Sequence, residues 1–285
     1  MGGLQNLGNT CFLNSIMQML FSIYDLNKQL TPLVATNADI FLLDEYRKLY
    51  EISRSNDVCP RGFIQALQIV TNDKKRASFF PDQQDASECL QFIIECFHNA
   101  SGISLEETYS SNDLRQVCKP YSYIAELFYG VITSTLTYEG NIVSTVYQPF
   151  FILDLPIVAP TLEECIQHYT LPEPIDEPWL QESTGQQLKV VKQMQITTLP
   201  PYLWICLKRF HNNQTKDDRP VAIPNILFGI YELIGICNHF GNYHGGHYTA
   251  SIKDNTWKHY NDLQVNDIGG MPSTHHTYLM VFRKN

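Results

Sequence analysis

Apolar residues at helical spacing dominate the first part of the chain. Phe12, Ile16, Met19, Leu20 and Ile23 follow Asn9 and Thr10, and Ala86, Leu90, Ile93 and Phe97 repeat the pattern after Pro81 and Asp82. Such a stripe buries one face of a helix, and the polar residues before it supply a start signal. Residues 1–118 are therefore read mainly as helices. Further on, the pattern changes to short β-branched and aromatic runs at 128–137, 143–155, 188–196, 203–210, 231–239, 247–252 and 257–260. Runs of that kind between turn residues read as strands. The run Leu171-Pro172-Glu173-Pro174-Ile175-Asp176-Glu177-Pro178 is dense in prolines and reads as a surface loop. The expected fold is α+β, a helical N-terminal half against a C-terminal half built on antiparallel sheet, with a cleft between them.

Two segments bring chemistry to that cleft. Gly8-Asn9-Thr10-Cys11-Phe12-Leu13-Asn14 places Cys11 in the first turn of a helix, capped by Asn9 or Thr10. The positive end of the helix dipole and its unpaired N–H groups favour thiolate over thiol, so a lowered pKa is expected there. Asn6 lies where its amide can meet an oxyanion, and Gly8 permits the tight turn between them. On these residues alone, Cys11 reads equally well as a small buried hydrophobe.

The second segment is Asn242-Tyr243-His244-Gly245-Gly246-His247-Tyr248-Thr249-Ala250, in which the glycine pair suggests a close backbone approach. Lys253-Asp254-Asn255-Thr256 reads as a hairpin turn, and the return strand Trp257 to Asp262 then lays Asn261 opposite His247 or Tyr248. An acceptor there takes the imidazole Nδ1–H and leaves the other nitrogen for a thiol. Asp262 offers charge or an alternative contact, but strand alternation points it the other way, which favours Asn261. The competing reading of His239, His244, His247 and His259 is a metal site. They lack the paired spacing of zinc ligands, and no metal or cofactor is expected.

Composition narrows the field. The net charge of −9 disfavours nucleic acid, and the one basic run, Lys74-Lys75-Arg76, reads as a solvated loop. No apolar stretch reaches the roughly 18 to 20 residues that cross a bilayer, nor is there a signal peptide, so no membrane partner and a location in the cytoplasm, the nucleus or both are expected. The eight cysteines then read as reduced thiols, with Cys89, Cys96 and Cys206 in apolar runs.

Gly3-Leu4-Gln5-Asn6-Leu7-Gly8-Asn9-Thr10-Cys11-Phe12-Leu13-Asn14-Ser15 resembles the cysteine box of ubiquitin-specific proteases, and His244 to Ala250 with Trp257 to Asp262 resembles their histidine box. Pro81-Asp82-Gln83-Gln84-Asp85-Ala86-Ser87-Glu88 is similar to their Gln-Gln-Asp box. Leu199 to Phe210 is similar to their Leu-Lys-Arg-Phe strand, and Tyr278 to Phe282 to the closing strand. The resemblance implies a papain-like thumb (1–118) with palm and fingers (119–285, fingers within about 125–200). It implies Cys11 as nucleophile, His247 as base, Asn261 as orienting residue and Asn6 as oxyanion donor. Asp85 and Gln84 would hold the ubiquitin tail, whose arginines suit an acidic groove. His244, Gly245, Gly246 and Tyr248 would line a passage narrow enough to select two glycines. The implied protein is a monomer that cleaves after the C-terminal Gly of ubiquitin. A protease for another ubiquitin-like modifier and a ubiquitin-binding module remain as alternatives.

There is one departure from the family pattern. Many members carry two Cys-x2-Cys zinc pairs at the fingertips, where this chain has Thr137 with Gly140 and Gln181 with Thr184. The fingers are then expected to be held by packing alone, or to be short and mobile. Because the chain starts ten residues before Cys11 and ends soon after the last strand, no targeting or adaptor domain is expected.

Overall fold

Helix α1 (Cys11–Phe21) is buried on every side, its polar Asn14, Ser15 and Gln18 included. A helix surrounded in this way lies at the centre of a fold rather than on its surface. The computed structural model describes residues 1–29, 37–100 and 122–285, together with the backbone of 106–107 and 118–119. The side chain of Cys118, and with it the surroundings of the expected subdomain boundary, lies outside the described residues. After α1 come α2 (Tyr24–Lys28), α3 (Ala38–Ser53), α4 (Arg61–Asp73), α5 (Ala86–Ala100) and a two-residue ladder of β1 (Glu106–Glu107) with β2 (Cys118–Lys119). The basic run is not merely solvated. Lys74 pairs with Asp39 at 3.2 Å and Arg76 with Glu95 at 3.1 Å, tying the end of α4 to α3 and α5.

Beyond α6 (Tyr123–Phe128) the chain is mostly strand. β3 (Gly130–Tyr138), β4 (Asn141–Phe150), β6 (Glu173–Pro174) and β9 (Val191–Thr198) form a four-stranded sheet in the order β4-β3-β9-β6. β7 (Trp179–Gln181) and β8 (Gln186–Leu188) make a separate hairpin. The proline-dense run thus contributes an edge strand, a place where a missing N–H is tolerated.

The larger sheet runs β15 (Gln264–Gly269), β14 (Thr256–Asn261), β13 (Gly245–Asp254), β12 (Tyr231–Asn242), β16 (Thr277–Lys284), β10 (Tyr202–Leu207) and β5 (Ile152–Leu155). The short β11 (Ile226–Leu227) pairs along β12. Its pairs are antiparallel except β10 with β5. One face packs on the helical half through Tyr202, Trp204, Tyr248 and Ala250. The other packs Leu203, Ile205 and Leu207 against Leu162 and Ile166 of α7 (Leu162–Tyr169). Two covered faces account for the unbroken apolar run of β10.

The run expected as one strand over 143–155 is divided between the two sheets at Phe151. Its ring packs with those of Phe128, Tyr129 and Trp204 and roots the smaller sheet in the core. The outer turns are closed by local geometry. Glu139 and Gly140 both have positive φ (50° and 80°), the pairing that suits the twist of a two-residue hairpin. Gln181 accepts from the Gly185 N–H at 2.8 Å through its carbonyl and from the Thr184 hydroxyl at 2.8 Å through its side chain.

Candidate active site

Cys11 opens α1 and is 3% exposed. Thr10 holds the N-cap position without capping the helix. Its hydroxyl instead accepts from the Leu7 N–H at 3.0 Å and donates to Asn6 Oδ1 at 3.2 Å. Asn9 sits at φ 55° and donates its amide to the Pro81 carbonyl. The thiol pKa moves opposite to the sequence expectation, upward, because burial outweighs everything else acting on it. Hydrogen bonds from the Tyr248 backbone, Gln83 and the Phe12 backbone pull it down, while the negative Asp262 adds to the rise. A dipole at a helix end is a surface-strength effect, and a desolvated thiolate costs more than it returns.

Asn6 is fixed at both ends of its amide. Its Oδ1 accepts from Gly8 N at 2.9 Å and Thr10 N at 3.3 Å, and its Nδ2 donates to Asp262 Oδ2 at 2.9 Å. Gly8 makes this loop possible, since its φ of 98° is open to glycine at little cost. Asp262 follows β14 at φ 53°, and its other oxygen accepts from Asn14 Nδ2 at 2.7 Å. Asn14 is buried and also donates to the Leu4 carbonyl. The carboxylate of Asp262 is thus turned toward the helical half and joins Asn6 to α1. Nothing in sequence spacing singled out Asn14, whose role depends on a residue 248 positions away.

His247 and Asn261 are brought together by a 2.7 Å bond between His247 Nε2 and Asn261 Oδ1. Two details differ from the sequence reading. The β13–β14 ladder pairs Ala250 with Tyr260, so its continuation sets Asn261 against Thr249, not against His247 or Tyr248. His247 and Asn261 are instead diagonal neighbours on one sheet face, within reach of side chains of this length. It is also Nε2, not Nδ1, that meets the amide oxygen, which leaves Nδ1 as the nitrogen free to serve a thiol.

A groove lined by Gln83, Gln84, Asp85, Phe210, His244 and Tyr248 leads along the cleft. Asp85 caps α5, its Oδ1 accepting from Ser87 N at 2.8 Å and Glu88 N at 3.0 Å, and its Oδ2 accepts from the Tyr278 hydroxyl. The two glycines differ. A Cβ on Gly246 would stand 2.1 Å from the Phe240 carbonyl oxygen and 2.5 Å from His239 Nε2, whereas one on Gly245 would meet nothing nearer than Gln83 Oε1 at 3.8 Å. The Tyr248 side chain is buried against the His239 ring, at 4.6 Å between centroids. Burial, and after it Lys216, holds His239 down to about 4, so this imidazole is neutral. His259 shares a bond with Ser251, and among the described residues no group of three or more His, Cys, Asp and Glu side chains is placed to hold a metal.

Two residues with clear work in the site were quoted in the motifs without being chosen from them. Gln83 Nε2 donates to Cys11 Sγ at 3.5 Å and to the Gly246 carbonyl at 2.7 Å, and Gln83 Oε1 accepts from Gly246 N at 2.8 Å. The sequence signal was available, since Gln83 stands beside Gln84 in the same box. Arg209, 1% exposed, donates to the backbone carbonyls of Thr277, Asp217, Arg219 and His275, and so pins the loops behind the groove.

Ubiquitin carboxyl-terminal hydrolase 2 of Homo sapiens is 28% identical over 316 residues, spanning 93% of this chain and 52% of that protein. Ubiquitin carboxyl-terminal hydrolase 4 of Saccharomyces cerevisiae is 26% identical over 353 residues, spanning 93% and 37%. The chain thus spans about half the length, or less, of these relatives. Among solved structures, a chain of the SAGA Ubp8/Sgf11/Sus1/Sgf73 DUB module bound to ubiquitin aldehyde superposes with a TM-score of 0.79 at 25% identity, covering 100% of this chain and 70% of that one. The same module bound to monoubiquitin gives 0.77. The family model described as ubiquitin carboxyl-terminal hydrolase matches residues 2–282, and by that match the chain belongs to the ubiquitin carboxyl-terminal hydrolase family.

Proposed function

We propose that the protein is a cysteine-type deubiquitinase that hydrolyses the bond after the C-terminal glycine of ubiquitin with Cys11, His247 and Asn261. The observation that carries the reading is the 2.7 Å His247–Asn261 bond, formed one residue before the Tyr248 backbone that hydrogen-bonds the Cys11 thiol. Asn261 holds the ring through Nε2, so Nδ1 takes the thiol proton. A thiol raised by burial keeps its proton until a base accepts it, so proton transfer to His247 accompanies attack rather than preceding it.

The Cys11 sulfur then adds to the glycine carbonyl carbon, and the carbonyl π electrons move to oxygen. Asn6 Nδ2, with one hydrogen on Asp262, presents its other hydrogen to that oxyanion, beside the N–H groups at the start of α1. Collapse expels the lysine amine, which takes the proton from His247. Water, deprotonated by the same ring, then adds to the thioester carbonyl, and collapse breaks the C–S bond, frees the glycine carboxylate and returns the proton from His247 to the Cys11 sulfur. Asp85 stands at the groove as an acidic group for the arginine-bearing tail.

The test is release of aminocoumarin from the C-terminus of ubiquitin. Wild type should turn over, and Cys11→Ala and His247→Ala should not. No turnover by wild type, or turnover retained by Cys11→Ala, refutes the assignment. Parallel probes built on other modifiers with Gly-Gly tails test the substrate.

A further inference from the structure

The Gln83 side chain and the Gly246 backbone form a pair that has the chemistry of a strand ladder. In an antiparallel sheet, two facing residues exchange both N–H···O bonds. Gln83 does the same with a primary amide, giving Nε2–H to the Gly246 carbonyl at 2.7 Å and taking the Gly246 N–H on Oε1 at 2.8 Å. Gly246 lies at the start of β13, where an extended peptide adding to the sheet would find this N–H and C=O available. Gln83 occupies them from the helical half of the protein, across the cleft. With donor and acceptor at those distances no backbone fits between them, since adjacent strands need roughly 4.8 Å. The bridge also ends beside the nucleophile, because Nε2 reaches Cys11 Sγ at 3.5 Å.

We propose that Gln83 is a built-in stand-in for substrate: its amide holds the backbone-recognition position on Gly246 in the free protein, and the incoming tail displaces it and takes over both hydrogen bonds. The proposal rests on the reading of the site as a ubiquitin-tail hydrolase. Gln83 therefore makes the free cleft compete with its own ligand, and apparent affinity falls by the fraction of molecules in which the bridge is open. The bridge has a second effect. A donor on sulfur favours thiolate, so the same amide holds the thiol pKa lower than burial alone would. Displacement by substrate removes that donor as the carbonyl arrives, so the proton stays on sulfur until His247 takes it.

The experiment compares wild type with Gln83→Ala and Gln83→Glu, using ubiquitin-aminocoumarin for kcat and KM and iodoacetamide for the pH profile of Cys11 alkylation. Melting temperatures verify that each variant is folded. Gln83→Ala should lower KM about tenfold, the factor that one net hydrogen bond represents, and shift the alkylation midpoint to higher pH. Gln83→Glu keeps the acceptor for the Gly246 N–H but sets oxygen against the Gly246 carbonyl, so its KM should also fall. It serves as the deciding variant if the alanine protein does not fold. Turnover by both proteins with KM unchanged or raised in the variant overturns the proposal alone. Absence of turnover by wild type overturns the reading of the site and the proposal with it.

Discussion

Asp262→Asn isolates the link between Asn6, the proposed oxyanion donor, and the rest of the fold. Asparagine tolerates the positive φ of 53° at this position, so the backbone is undisturbed and the change is confined to one acceptor and one charge. The native carboxylate serves two amide donors, Asn14 at 2.7 Å and Asn6 at 2.9 Å, and an amide has one oxygen to share between them. Asn14 is 3% exposed, and an unpaired donor costs most where water cannot reach, so the oxygen stays with Asn14. The new NH2 then faces Asn6 Nδ2, donor against donor, and Asn6 loses its orientation. A hydrogen bond to a charged acceptor contributes about 1.5 to 3 kcal/mol, and the exposed position of Asn6 points to the lower part of that range. At 1.36 kcal/mol per decade, kcat on ubiquitin-aminocoumarin should fall about 10- to 30-fold. KM should stay within about twofold, because the donor acts on charge that exists only in the transition state. Alkylation of Cys11 by iodoacetamide at neutral pH should accelerate in the same variant, because the Asp262 charge that raises the thiol pKa is gone. A variant slower on ubiquitin and faster on iodoacetamide is the expected signature. A kcat within threefold of wild type, or a loss confined to KM, refutes the reasoning.

Three further outcomes follow from the packing. Gly246→Ala drives a Cβ into the Phe240 carbonyl and should cost about 1 to 3 kcal/mol of stability together with activity, while Gly245→Ala should change denaturant midpoints by little; equal effects would contradict the geometry. Arg209→Met strips the donors from four backbone carbonyls and should lower stability by about 4 kcal/mol or more in urea, with Arg209→Lys restoring part of it. Stability should also fall on acidification between about pH 6.5 and 4. Across that window the unfolded His239 binds a proton that the folded, buried ring refuses until about pH 4, a difference of about 3 kcal/mol in all. His98, His259 and His276, also lowered by burial, act in the same sense. The slope of urea midpoints against pH should flatten in His239→Gln, and an unchanged slope would assign the effect elsewhere.

The parts of the site that were legible in the sequence are those set by local pattern. Helical spacing after Thr10 identified α1, and alternation around a turn identified the β13–β14 hairpin. What sequence could not supply is long-range or energetic. A hairpin register moves when a turn gains or loses one residue, and Asn255 at φ 58° sets the ladder one or two positions from the expected one; His247 and Asn261 still meet because diagonal neighbours share a face. The ring nitrogen facing Asn261 depends on where the strand places the imidazole, and spacing carries no information on that. The direction of the Cys11 pKa depends on how much protein surrounds the sulfur, which a helix-start motif does not contain. Gln83 and Asn14 are ordinary amides in sequence, and their partners stand 163 and 248 positions away.

The tie between Asn6 and Asp262 joins residues 256 positions apart, and the Leu4 N–H is bonded to the Asp262 carbonyl at 3.0 Å. Contacts of such separation carry the largest loop-closure cost and form late in folding. During synthesis Cys11 and Asn6 leave the ribosome well before Asp262, the carboxylate that holds the Asn6 amide. A nascent or truncated chain lacking the β14–β15 hairpin therefore carries the Cys11 thiol without the group that fixes Asn6. The Asn6 amide is oriented only once Asp262 has been made and folded back onto α1.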